Sequence, residues 1–306
     1  MGGVPLRILR GSPDDRPPGE PRLVGYLYLL PAFAVFATFV LYPLYRAIYI
    51  SFYDWDGLTV GHYIGLANYR EAVSDPLVRD SFKHSAELIV FYALLPVALG
   101  LLLTAILTRH PVRAFTFYRT ALFLPQMIAG VVVAQAWVWI YAANGPLNVF
   151  LRDIGLGSLA RPWLGDFTWA LPAVGGIGTW VTYGLCMVLF IAGAQSIPHS
   201  LYDAARVDGA GAVREFFAVT LPALRNQVVV AFVLTTINAL RSFDVIYNAT
   251  SGGPGTTTYV PSYYMYRNAF VFNRVGYAAA IAVILTAAIF TLAGIVLYVS
   301  SRGEER

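Results

Sequence analysis

The residues best equipped for chemistry are scattered along the chain. His62, His84, His110 and His199 lie far apart, and none belongs to a His-Glu-x-x-His pair that would hold zinc. Cys186 is the only cysteine, which rules out a disulfide within the chain and a cysteine-based metal site. Its expected role is that of a small apolar core residue. The single lysine, Lys83, follows Phe82 and is remote from any glycine loop that could cradle phosphate. Gly155-Leu-Gly157-Ser-Leu-Ala160 copies part of a dinucleotide fingerprint, but no strand precedes it, and no serine-nucleophile motif occurs. Charged and small residues gather instead in one polar island, Leu201 to Pro222, between two long apolar runs. Its composition suits a surface that grips another molecule.

Within the island, Ser200 is placed to cap a short helix and Asp203 to fall in its first turn, where the dipole favours a carboxylate. Leu201, Ala204 and Ala205 then share a face, and the small alanines permit close approach. Gly209 supplies the left-handed stop. Asp208 would face the negative end of that helix, at a cost of about 0.3–1 kcal/mol. Arg206, Arg214, Arg225 or a basic group on a partner could offset it; a solvated Asp-Gly turn is the plainer alternative. A second amphipathic piece, Val213 to Leu221 with Phe216 and Phe217, leads to Pro222, whose fixed φ suits the start of the next helix.

The elements that must hold this island are membrane helices. Hydrophobic residues make up 58% of the chain and charged ones 12%, about half of what a soluble surface needs. Charge-free runs cover Leu23 to Tyr45, Leu88 to Thr108, Thr120 to Ala143, Trp169 to Ser196 and Gly276 to Val299. Each reaches the roughly 20 residues that a helix needs to cross hydrocarbon. A further span starts near Asn226 and would carry Arg241 and Asp244 in its distal part. Only helices or closed barrels satisfy the backbone in lipid, and these runs are too long for barrel strands. An all-α membrane protein with six transmembrane helices follows, with both termini on one side.

Residues 1–22, rich in Pro, Gly, Arg and Asp, are expected to form a flexible cytoplasmic tail. Residues 23–300 would form the six-span domain, with a cytoplasmic loop at 197–225, and 301–306 a short cytoplasmic tail. The first span is longer than a signal-peptide core and reads as a retained anchor. Asp54 to Lys83 is the longest loop, with room for a short helix; Arg109 to Arg119 is short and basic. Arg7, Arg10, Arg16, Arg22, Arg109, Arg113, Arg119, Arg206, Arg214, Arg225, Arg302 and Arg306 fall on one side, leaving nine of the 21 basic residues for the other. The richer side should be cytoplasmic. Trp55, Trp137, Trp139, Tyr141, Trp163, Trp169, Tyr263, Tyr264 and Tyr266 collect near span ends, as an interfacial belt would.

Polar side chains inside spans usually face protein or a wet path. Gln126, Gln135, Thr179, Thr182, Tyr183, Thr235, Thr236, Asn238, Arg241 and Asp244 fit that description. Arg241 and Asp244 are also spaced to neutralise one another. Asn238 and Tyr183 are the expected solute contacts, and Gly175, Gly176, Gly178 and Gly184 the expected helix-packing face.

The joint spacing of Asp203-Ala204-Ala205, Asp208-Gly209-Ala210 and Leu221-Pro222 resembles the EAA loop of permease subunits in bacterial carbohydrate ABC importers of the maltose and glycerol-phosphate type. Asp203 replaces the usual Glu and Val219 the usual Ile. Weaker similarities are Tyr42-Pro43, Gly65-Leu-Ala-Asn-Tyr69, Phe123-Leu-Pro125, Trp163-Leu-Gly165, Ala192-Gly-Ala-Gln-Ser-Ile-Pro198, and Phe243-Asp244 before Gly252-Gly-Pro-Gly255. The resemblance implies the type I importer fold in a bacterial inner membrane, a second homologous permease subunit, two ATPase subunits carrying ATP and Mg, and an extracytoplasmic solute-binding protein. It implies no cofactor on this chain and no nucleic-acid partner. Asp203, Ala204, Ala205, Asp208, Gly209, Leu221 and Pro222 would couple to the ATPase. The rival reading is a self-sufficient secondary carrier or channel, which would have no need of that spacing.

Overall fold

The computed structural model describes residues 24–109 and 114–302. Contacts divide the chain into two units, meeting between Ala47 and Ile48. In the first, α1 (Val24–Phe36) passes through a π turn (Ala37–Leu41) into α2 (Tyr42–Ile50).

The second unit takes in the end of α2 from Ile48, then a small hairpin, β1 (Tyr53–Asp54) against β2 (His62–Tyr63), followed by α3 (Ala67–Ser74). α4 (Pro76–Ile89) continues through a π turn (Val90–Leu94) into α5 (Leu95–Arg109). Then come α6 (Phe115–Met127), α7 (Gly130–Ile140), α8 (Pro146–Asp153) and the long α9 (Ala170–Ala194). The island contains α10 (His199–Val207), α11 (Ala212–Glu215), a π turn (Phe216–Thr220) and α12 (Leu221–Ala223). α13 (Arg225–Leu240), α14 (Asp244–Ala249), α15 (Pro261–Tyr266), a π turn (Arg267–Val271) and α16 (Val275–Ser301) complete it.

Among the described residues, four continuous helices are long and apolar enough to span a membrane: Tyr26–Ile50, Pro76–Thr108, Ala170–Ala194 and Val275–Ser300. Two bent pairs bring the number to six, α6 with α7 at 95° and Ala212–Ala223 with α13 at 72°. The run from Thr120 to Ala143 is therefore not one straight helix. Its backbone is extended at Ile128, three residues after Pro125, and α7 restarts at Gly130. Likewise the fifth span does not carry Arg241 and Asp244 along a helix: α13 stops at Leu240, and Asp244 opens α14.

Three of the π turns have a common sequence cause. Pro43, Pro96 and Pro222 each stand two residues beyond one, so the carbonyl four residues before each proline belongs to the middle residue of the turn, Phe39, Tyr92 or Ala218. Proline offers no N–H to that carbonyl and crowds it sterically. The widened turn relieves both problems without breaking the helix.

Packing centres on α9, whose glycine face admits its neighbours closely. A Cβ on Gly178 would lie 2.1 Å from the Tyr92 ring, and one on Gly184 would lie 2.5 Å from the Leu122 carbonyl oxygen. The expected packing role of this face is met. Cys186 is fully buried beside Phe190 in the cluster that includes Val97 and Leu224.

The island lies at one end of the bundle, because Arg225, at the start of α13, donates to the Ser300 carbonyl near the end of α16 at 3.1 Å. The hairpin lies at the other end, where Gly276 donates its N–H to the Trp55 carbonyl at 3.0 Å. There Asn68, 4% exposed, donates to the carbonyls of Ser51 and Tyr53 at 2.9 Å each. The expected 54–83 loop is thus largely structured, and Lys83 lies within α4, which starts at Pro76 under an Asp75 cap. Arg119 lies within α6 rather than in a loop. Tyr141, Tyr263 and Tyr264 are buried, so these three belong to the packed core instead of an interfacial belt.

Candidate docking loop and polar helix breaks

α10 starts at His199, two residues earlier than a Ser200 cap requires, with Pro198 in the capping position and no side-chain cap. Asp203 consequently lies past the first turn. Its carboxylate is held from the other direction, by Arg206 Nη1 at 3.5 Å. Proline explains the shift: its fixed φ of −60° and extended ψ of 131° end the chain leaving α9 and launch the helix directly.

Gly209 ends the helix with φ +74°, as its position predicts, and Asp208 forms the C-cap. Ala204 and Leu201 are exposed and Ala205 half-buried, leaving a shallow face beside an exposed Val207. Arg206 does not offset Asp208: its Nε lies 3.3 Å from Glu215 Oε2, and its Nη1 turns to Asp203. Among the described residues no ion pair reaches Asp208, which is exposed.

Past the glycine, the second piece is shorter than an amphipathic helix from Val213 to Leu221, being one α turn, one π turn and the three residues of α12. Phe216 is half-buried and Phe217 61% exposed. Tyr202 and Thr220 approach through their hydroxyls at 3.2 Å, tying α10 to the turn before Leu221-Pro222. Sequence reading passed over Glu215 and Thr220. Their partners lie nine and eighteen residues back, beyond a glycine, where no helical period carries information.

The two helix breaks meet. A Cβ on Gly130, the first residue of α7, would lie 3.3 Å from Asp244 Cβ, and Gln135 donates to the Asn248 carbonyl at 3.1 Å. Asp244 sits at the start of α14 and beside the start of α7. No ion pair joins it to Arg241 among the described residues, because the chain leaves helical geometry between them. Both residues are exposed, as are Gln135 and Asn238; Tyr183 and Gln126 are half-buried. Among the described residues the buried Gln126 Oε1 and Thr236 Oγ1 have no hydrogen-bond partner. Thr179 donates to the Phe91 carbonyl at 2.6 Å and Thr235 to the Ala231 carbonyl at 2.8 Å, so these two hydroxyls are occupied within the bundle. No hydrogen bond links Tyr183 to Asn238 among the described residues.

Broken apolar spans, polar groups at the breaks and a glycine-stopped loop between the fourth and fifth spans define a multi-pass membrane permease. The chain belongs to the family of inner membrane components of binding-protein-dependent transport systems, whose sequence pattern matches residues 96–304. It is 37% identical to the probable ABC transporter permease protein YurN of Bacillus subtilis over 89% of this chain and 93% of that one. It is 36% identical to the sulfoquinovosyl glycerol transport system permease protein SmoG of Agrobacterium fabrum over 87% and 86%. Among solved structures it resembles a chain of a bacterial alginate ABC transporter in complex with an alginate pentasaccharide-bound periplasmic protein. That TM-score is 0.78 at 22% identity, covering 91% of this chain and 94% of that one, a likeness of fold.

Proposed function

We propose that this chain forms half of the translocation path of an ATP-driven importer for a sugar, oligosaccharide or related polyol compound. In this reading both termini and the 197–225 loop are cytoplasmic, and the loop docks on a separate ATPase subunit through Asp203, Ala204, Ala205, Asp208, Gly209, Leu221 and Pro222. A second homologous permease completes the path, and an extracytoplasmic binding protein delivers the solute. ATP and Mg reside on the ATPase.

The observation that carries the reading is the loop itself. α10 presents small residues on an exposed face, stops at a left-handed glycine and runs through Leu221-Pro222 into α13. The carbohydrate class is supported by the sulfoquinovosyl glycerol relative, and a binding-protein partner by the alginate transporter complex. For the path itself, Gln126, Gln135, Tyr183, Asn238, Arg241 and Asp244 are assigned from their polarity and from the meeting of the two helix breaks.

Copurification with the neighbouring ATPase, followed by solute-stimulated ATP hydrolysis over a panel of sugars, tests the proposal. Uptake that survives loss of the ATPase subunit would establish a self-sufficient carrier instead. Unchanged apparent affinity and rate in both Asn238→Leu and Tyr183→Phe would remove these two from the path.

A further inference from the structure

The docking loop contains a glycine joint. Gly209 adopts φ +74°, Gly211 follows two residues later, and a Cβ on either would meet nothing within 4 Å. Nothing packed against these two glycines holds α10 in place against α11. The ion pair that spans the joint, among the described residues, is made by one guanidinium. Arg206 Nε lies 3.3 Å from Glu215 Oε2 beyond the glycines, while its Nη1 lies 3.5 Å from Asp203 Oδ1 one turn back. The Glu215 side chain is only 9% exposed, and among the described residues Arg206 is its sole ionic partner. Asp203, by contrast, is 70% exposed. One end of the bridge is anchored in the loop's interior, and the other lies on its docking face.

We infer that Arg206 is a positioning residue for energy coupling: it staples the docking helix α10 across the Gly209–Gly211 joint to Glu215, so that displacement of α10 is delivered to α13. The Tyr202–Thr220 contact at 3.2 Å assists from one turn earlier in α10. The inference rests on the proposed docking role of the loop. Arginine suits the task because its planar fork can serve two carboxylates from different nitrogens, whereas a lysine ammonium is a single point charge on a flexible stem. Without the staple, α10 could remain seated on its partner while the rest of the loop failed to follow.

Amide hydrogen exchange on the complete complex with its ATPase, with and without MgATP and vanadate, separates docking from transmission. In the wild type, the ATPase should protect α10, and trapping the nucleotide should alter exchange in α13. In Arg206→Gln, α10 should stay protected while the α13 response is lost, and the exchanged pair Arg206→Glu with Glu215→Arg should restore it. An α13 response in Arg206→Gln equal to wild type overturns the staple. If Arg206→Gln does not copurify with the ATPase, the exchanged pair decides: recovery of assembly and of the α13 response supports the staple, and continued failure overturns it. Absence of α10 protection in the wild type would instead refute the docking role on which the inference stands.

Discussion

Tyr277, near the start of α16, donates its hydroxyl to the Asp75 carboxylate at 2.7 Å, joining residues 202 positions apart. Tyr264 donates to the same oxygen at 2.8 Å, and Asp75 Oδ1 caps α4 through the Leu77 N–H at 2.8 Å. One side chain therefore fastens three helices at the end of the bundle remote from the candidate docking loop. A hydrogen bond to a charged group is worth about 1.5–3 kcal/mol. Asp75→Asn removes the charge from three such bonds and should destabilise the protein by about 2 kcal/mol, read as a lower thermal midpoint in detergent. An unchanged midpoint would mean that the hub is dispensable.

The same hub predicts a pH dependence. Burial raises the Asp75 pKa, but the hydrogen bonds from Tyr277 and Tyr264 and the α4 backbone outweigh it, leaving the value lowered. Tyr264 is pushed up to about 12 by burial and by its bond to Asp75. A lowered carboxyl contributes stability above its unfolded pKa and loses it as pH falls through the folded value. A raised phenol contributes fully below its unfolded pKa of about 10, and that contribution is lost as pH rises towards about 12. Thermal midpoints should therefore fall on both flanks, and Asp75→Asn should flatten the acid flank.

Glu71 and Arg274 lie close by, with Arg274 Nη2 2.6 Å from Glu71 Oε2, yet both side chains are 46% exposed. Solvent screens such pairs to about 0–1 kcal/mol. Glu71→Gln should therefore cost less than Asp75→Asn, and its effect should shrink as salt is added. Equal losses for the two variants would contradict this ranking.

Gly178→Ala tests the α9 packing face. The added methyl would fall 2.1 Å from the Tyr92 ring, which is buried between α9 and its neighbours. Overpacking of this kind costs about 1–3 kcal/mol. Reduced yield of folded protein and a lower thermal midpoint are expected, with partial recovery in Gly178→Ala combined with Tyr92→Leu.

Asp208 lies at the C-terminal end of α10 with no ion pair among the described residues. Asp208→Asn should relieve a dipole cost of about 0.3–1 kcal/mol in the isolated subunit. If the ATPase supplies a basic partner there, the same variant should weaken copurification and make it less sensitive to salt. Unaltered salt dependence would leave Asp208 as a solvated turn residue.

Hydropathy alone marked the apolar runs that fold as four long helices and two bent pairs among the described residues, because the cost of burying charge in lipid leaves runs that need no tertiary information to recognise. The bends were harder to read. Pro125 was visible, but a proline can end a helix, kink it or sit in its first turn, and the 95° angle comes from the extended Ile128 and Ala129 that follow. The Arg241–Asp244 expectation failed for a related reason: a spacing of three implies contact only while the backbone stays helical. In the docking loop, glycine and proline marked the joint and the exit well, since their backbone preferences are local. The Ser200 cap lost to Pro198, two residues earlier, and the partners of Arg206 and Tyr202 across the glycines required three dimensions.

α13 has 16 residues, hence a length of about 24 Å, against a hydrocarbon layer of about 30 Å. Hydrophobic mismatch of that size must be met by the flanking α12 and α14 segments or by a bilayer that thins along this edge of the bundle. That short helix is also the segment that links the candidate docking loop to the helix breaks. Reconstitution into bilayers of graded acyl length should shift activity most through this short helix.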